Sequence, residues 1–228
     1  MSSSGTNAKY RNVYHRAAVE YYRAPKDLQL RCRCGHVRGV ANRVAPHAGF
    51  RFVCYCQDCQ AFARFLDRPD VLDAAGGTDI FHMPMGRLKL TAGTDAVRCL
   101  QFSSRVFRWY ADCCRTPIGN TAGPRFPVIG LIHSFMHHDA DGCSRDEALG
   151  APLCRIFERS ATGPLPLNAP PPRSLGLVAL RVPTLLGWWL RGLGRPNSFF
   201  DDLTGAPLAV PRVFTPSERA ALVNGPEL

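Results

Sequence analysis

Hydrophobic and polar positions alternate along much of the first 135 residues. Leu28, Leu30 and Cys32 are interleaved with Gln29, Arg31 and Arg33, the period of a half-buried strand. Cys34-Gly35 ends that run in a turn, and Val37, Gly39 and Ala41 read as the returning strand. Phe50, Phe52 and Cys54 form another short strand. Further strand-like runs cover 79–83, 87–91, 96–102 and 106–111, separated by Pro84-Met85-Gly86, Gly93-Thr94-Asp95 and Ser103-Ser104 at hairpin spacing. Residues 128–135 predict a strand or a short helix.

Helical period is confined to a few places. Phe62, Phe65 and Leu66 give Gln57–Leu66 an apolar face, and Pro69 stops it. Val13, Ala17 and Tyr21 suggest a lead-in helix around 14–22. Thr215, Pro216 and Glu218 spell a capping box that opens a last short helix. The fold class is therefore mainly β: short antiparallel strands with N- and C-terminal helical extensions. The organisation reads as an N-terminal extension (1–26), a β domain (27–138), a Pro-rich linker (139–172) and an apolar helix with a tail (173–228).

Residues 175–193 are apolar for about the length that crosses a bilayer, roughly 20 residues. Arg181, Pro183 and Arg191 interrupt the stretch, so no transmembrane span is expected. It predicts a helix folded back on the β domain; the alternatives are an interfacial helix on a membrane surface or a homo-oligomer contact.

The net charge is +10 with scattered arginines and no block of like charge, so nucleic acid is not the favoured partner; anionic lipid or a small acidic thiol fits as well. The polar start is not followed by an apolar leader, and the ten cysteines cluster at short spacing. That pattern suits metal binding in a reducing cytoplasm better than disulfides.

The densest cluster is Cys54-Tyr55-Cys56-Gln57-Asp58-Cys59. Three thiols so close can aim at one soft metal, and zinc binds sulfur at about 2.3 Å. Three ligands leave a fourth position open, as catalytic zinc sites do. Cys32-x-Cys34 and Cys113-Cys114 form two further groups, whereas Cys99, Cys143 and Cys154 stand alone and read as small buried hydrophobes. His133 and His137 would be neighbours on a helix, but no Glu follows His133 in the zinc-protease pattern, so surface histidines are the simpler reading. No serine triad, phosphate loop or dinucleotide fingerprint offers a rival chemistry.

Taken in order, Cys32-Arg33-Cys34-Gly35, the Cys54–Cys59 group, Phe102-Ser103-Ser104 and Arg108-Trp109-Tyr110-Ala111-Asp112-Cys113-Cys114-Arg115-Thr116-Pro117-Ile118 resemble the glutathione-dependent formaldehyde-activating enzymes and centromere protein V, a family with the Mss4-like fold. The resemblance covers about residues 28–135. It implies two zinc ions. One would be structural, held by Cys32, Cys34 and the late cysteines. The other would be held by Cys54, Cys56 and Cys59, with an open position for glutathione. The implied activity is carbon–sulfur lyase chemistry on a formaldehyde–glutathione adduct, with Arg105 and Arg108 as candidate holders of a glutathione carboxylate; the alternative is a non-catalytic zinc scaffold for protein, nucleic-acid or membrane-surface binding.

The chain departs from the family pattern at three places. Tyr55 stands where the family has His, Ala111 where it has the first late cysteine, and Arg115 where it has Gly. Cys113 and Cys114 are adjacent, and adjacent strand residues point to opposite faces. Either Cys113 supplies the missing ligand from a bulge or turn, or that site has three thiolates, or it is lost.

Overall fold

The computed structural model describes residues 24–137 and 142–225. The expected lead-in helix around 14–22, His138 and Asp139–Asp141 lie outside the described residues.

Two sheets build the molecule. β1 (Lys26–Arg31) and β2 (Arg38–Val44) form an antiparallel hairpin, and β5 (Leu88–Ala92) adds beside β2. The second sheet runs β10-β3-β4-β9-β8-β7-β6-β11. Its six inner strands are antiparallel neighbours: β3 (Phe50–Cys54), β4 (Thr78–Pro84), β6 (Val97–Gln101), β7 (Phe107–Ala111), β8 (Thr116–Thr121) and β9 (Val128–Ile132). Both edges are parallel additions from late in the chain: β10 (Cys154–Ile156) on β3 and β11 (Arg212–Val213) on β6. The protein is mainly β, as the alternation predicts.

Both faces of the large sheet are buried, so its strands send apolar side chains into two cores. In β4, Phe81 and Met83 enter a core shared with Leu28, Leu30 and Leu88 of the small sheet. Ile80 enters a second core on the opposite face, built with Phe62 of α1 (Gln57–Phe65) and Leu66 just after it. β7 divides the same way: Trp109 lies in the first core and Tyr110 in the second. The Trp109 indole N–H also donates to Thr121 Oγ1 at 2.9 Å, so its burial leaves no polar atom orphaned.

Residues after 142 wrap this frame. α2 (Arg145–Leu149) opens on a Ser144–Glu147 capping box. Arg51, 6% exposed, clamps it to the sheet by donating to Asp146 at 2.6 Å, to the Gly150 carbonyl at 2.7 Å and to Asp79 at 2.7 Å. α3 (Leu175–Leu190) packs on β3 by stacking Trp188 on Phe50. α4 (Pro216–Val223) has the predicted Thr215–Glu218 capping box and lies along α1, where Arg64 donates to the Leu222 and Val223 carbonyls. Phe214, just before α4, completes the second core against Phe65 and Phe102.

Candidate metal centres

Two hairpin turns bring four cysteines to one point. β1 ends at Arg31, and the Cys32 N–H donates to the Val37 carbonyl, closing a tight loop over 32–37 in which Gly35 takes φ +79°. The other turn joins β7 to β8. Ala111 pairs with Thr116, so Asp112, Cys113, Cys114 and Arg115 form the whole connection. The chain bends there, and adjacent cysteines are no longer bound to opposite faces.

The Sγ atoms of Cys32, Cys34, Cys113 and Cys114 all lie within 4.8 Å of one another. Individual separations are 3.6 Å (Cys32–Cys34), 3.8 Å (Cys32–Cys113), 3.4 Å (Cys34–Cys113) and 3.9 Å (Cys113–Cys114). A tetrahedron with metal–sulfur bonds of about 2.3 Å has edges of about 3.8 Å. The donor set fits a four-thiolate metal ion.

Thr116 joins the two turns. Its hydroxyl accepts from the Arg33 N–H at 3.1 Å and from buried Arg68 at 3.0 Å, and lies 3.1 Å from Cys114 Sγ. Burial works against ionisation of Cys114. Hydrogen bonds from Thr116, the Cys34 backbone and the Cys32 and Cys34 thiols outweigh it and bring Cys114 down to about 6. Burial and then its thiol neighbours push Cys113 up. A metal bound here would displace the protons that Cys32, Cys113 and Cys114 share.

The second group forms where β3 passes into α1. Cys54 ends the strand, Cys56 is the helix N-cap residue and Cys59 lies in the first helical turn, its N–H donating to the Cys56 carbonyl. Their sulfurs also lie within 4.8 Å of one another. The free N–H groups of a helix start favour negative charge there. Hydrogen bonds from Cys54 and Cys59 hold Cys56 far below the ordinary thiol range. Cys54 is pushed well up, first by sharing with Cys56 and Cys59 and then by burial. Each group could hold a metal ion.

Arg108 sets a buried positive charge beside the trio. It is 4% exposed, and its Nη1 lies 3.8 Å from Cys59 Sγ and 3.3 Å from Asn120 Oδ1. Nη2 lies 3.7 Å from Asp58, which also accepts from Arg219 of α4 at 2.7 Å. The guanidinium sits over the rings of Phe62 and Phe102 at 5.7 and 5.6 Å, and its Nε is buried with no hydrogen-bond partner. Arg105 is elsewhere, exposed in the turn between β6 and β7.

A family model described as "Family of unknown function (DUF6151)" matches residues 24–209. The chain belongs to this family. The match takes in both cysteine groups, Arg108, Thr116 and all of α3, so the DUF6151 region contains both candidate centres; β11 and α4 lie beyond it. No curated protein matches this DUF6151 chain.

Several further positions differ from sequence expectation or escaped it. His133 is not a surface histidine on a helix. It sits in a single 3-10 turn, its ring facing the Asp79 carbonyl at 3.3 Å, and burial followed by Arg145 brings it down to about 4. Tyr55, inside the trio, points away from it and is fully buried, donating to Asp73 at 2.9 Å. Thr116, Arg68 and Asn120 support the two centres but carry no spacing signal. Only the Thr-Pro after Cys114 and Arg115 could have pointed to Thr116.

Proposed function

We propose that the protein carries two zinc ions and uses the Cys54, Cys56 and Cys59 site to take up a small thiol such as glutathione for carbon–sulfur chemistry. All seven donors are cysteine sulfurs, a set that favours zinc among common divalent ions. The resemblance to glutathione-dependent formaldehyde-activating enzymes and the Mss4-like fold supplies the chemical class. The observation that carries the reading is the difference between the centres: four sulfurs at tetrahedral spacing in one, three beside a buried guanidinium in the other.

When bound at the trio, zinc would lower the pKa of a small thiol and leave the sulfur nucleophilic. Addition of that sulfur to a carbonyl carbon forms the C–S bond, and the carbonyl oxygen gains the proton. The chain's part is to hold and orient. Arg108 offsets the negative charge gathered by three thiolates and another sulfur, and its unpartnered Nε is a donor in reserve for an anionic group. Helix α1 begins at Cys56, where its N-terminal dipole favours negative charge.

A zinc scaffold without chemistry is the second reading. It is favoured by the burial of Cys54 and Cys59, 4% and 6% exposed, which leaves Cys56 as the more open of the three. One titration separates the two. Glutathione added to the Co²⁺-substituted protein should change the thiolate-to-metal charge-transfer band, and a Cys56→Ser variant should abolish the response. An unchanged spectrum at millimolar thiol sinks the enzyme reading and leaves the scaffold.

A further inference from the structure

Helix α3 has its polarity reversed. Leu177, Arg181, Thr184, Leu185 and Trp188 recur at helical spacing along the side that meets the protein, with Trp188 stacked on Phe50 and the Arg181 guanidinium over the same ring at 5.5 Å. Arg181 and Thr184, the only polar side chains in the helix, are both on that stripe and are partly buried. Leu175, Ala179, Leu186, Trp189 and Leu190 follow the opposite side, where the large ones are 51–89% exposed. A surface helix in water carries its polar residues outward. This one is built for an apolar medium outside.

Charge identifies the medium. From Arg159 to Phe200 the chain has five arginines and no Asp or Glu. Arg173 stands before the helix, and Arg191 and Arg195 follow it, all exposed. No helix among the described residues is long and apolar enough to cross a membrane, and sixteen residues extend only about 24 Å. A second copy is a poor cover, because a two-fold antiparallel contact would set Arg173 against the copy's Arg191 with no acid to offset them. A bilayer with anionic headgroups satisfies both parts: acyl chains meet the apolar stripe, and headgroups meet the arginines, with Trp189 at the boundary between them.

We propose that α3 seats the protein on an anionic membrane surface, lying in the interface plane on its Leu175–Leu190 stripe. This goes beyond the metal chemistry and does not depend on it.

The test is co-sedimentation of the full-length, metal-loaded protein with vesicles of phosphatidylcholine alone or mixed with phosphatidylglycerol. Binding to the mixed vesicles should be about tenfold tighter, fall with added salt and shift tryptophan emission to the blue. Leu186→Glu/Trp189→Glu, two changes at exposed positions, should abolish binding while unfolding stays unchanged. Arg173→Gln/Arg191→Gln keeps the apolar stripe and should remove only the preference for the anionic lipid. Failure of the wild type to sediment with either vesicle overturns the proposal. So does a dimer in solution that Leu186→Glu/Trp189→Glu splits without any vesicle binding.

Discussion

Arg108 Nη1 lies 3.8 Å from Cys59 Sγ, and both side chains are buried. A buried guanidinium beside a group of thiols has a clear electrostatic sense: it favours the charged sulfurs that a metal needs. Outer partners of metal ligands typically contribute 10–100-fold to affinity. Arg108→Met, which keeps length but not charge, is expected to weaken metal retention at the trio by at least about tenfold. Asp58 keeps Arg219 as a partner, so the loss of stability should be modest, about 1–2 kcal/mol. Chelator competition, run in a Cys34→Ser background to silence the four-sulfur site, reads the effect.

The four-sulfur cluster fastens two turns about eighty residues apart in sequence, with Cys34 and Cys113 separated by 79 positions. Closing a segment of that length stabilises on the order of 4 kcal/mol when the link is firm. Cys113→Ser should therefore lose one metal equivalent and lower the thermal midpoint, whereas Cys56→Ser should lose one equivalent with a smaller shift. Metal analysis paired with thermal unfolding checks both. Equal shifts would mean the trio is as structural as the clamp.

Arg115 adopts φ +57°, a region costing an L-residue roughly 1–2 kcal/mol. Its guanidinium lies over Phe65 at 4.8 Å and donates to the Phe65 carbonyl at 3.0 Å, contacts that Gly at this position could not make. Arg115→Ala loses the contacts and keeps the strain; Arg115→Gly loses the contacts and relieves it. Urea denaturation should rank Ala below Gly by about 1 kcal/mol.

His82 is buried between Phe50 and Phe52, both meeting its ring edge-on, and burial lowers it to about 4. In the unfolded chain the same group titrates near 6.5, so between those values the unfolded state binds a proton that the folded state refuses. Stability is full above about pH 6.5 and falls as pH drops towards 4, by up to about 3 kcal/mol for this group. His82→Phe should remove about half of the histidine-linked loss between pH 7 and pH 5 in chemical denaturation, because buried His133 is lowered to about 4 as well and its contribution, like that of the cysteines, is common to both proteins. An unchanged slope would mean His82 titrates normally.

Strand alternation made β1 to β7 legible, and the capping box made α4 legible, because local pattern and packing agree there; the unbroken apolar run of β9 left strand and short helix both open. β8 was hidden because Thr116-Pro117-Ile118-Gly119-Asn120-Thr121 holds a Pro and a Gly that speak against a strand, yet it lies buried inside the sheet. β10 and β11, of three and two residues, are too short for a period. The cysteine groups were visible through spacing; Arg68 and Asn120 were not, since only tertiary contact assigns them a role. The bend at Cys113-Cys114 could be stated in the sequence only as a condition on the backbone. The four-residue connection from Ala111 to Thr116 meets it.

The order in which the chain leaves the ribosome gives the two late edge strands a further meaning. All seven clustered cysteines emerge before Cys154, and both sheet edges are still bare when the last of them does. A nascent sheet with open edges is prone to pair with a neighbouring chain. Metal captured at that stage would pin the early hairpins in register while the remaining hundred or so residues are being made. Metal supply during translation, more than in the finished protein, would then govern how much of this chain escapes aggregation.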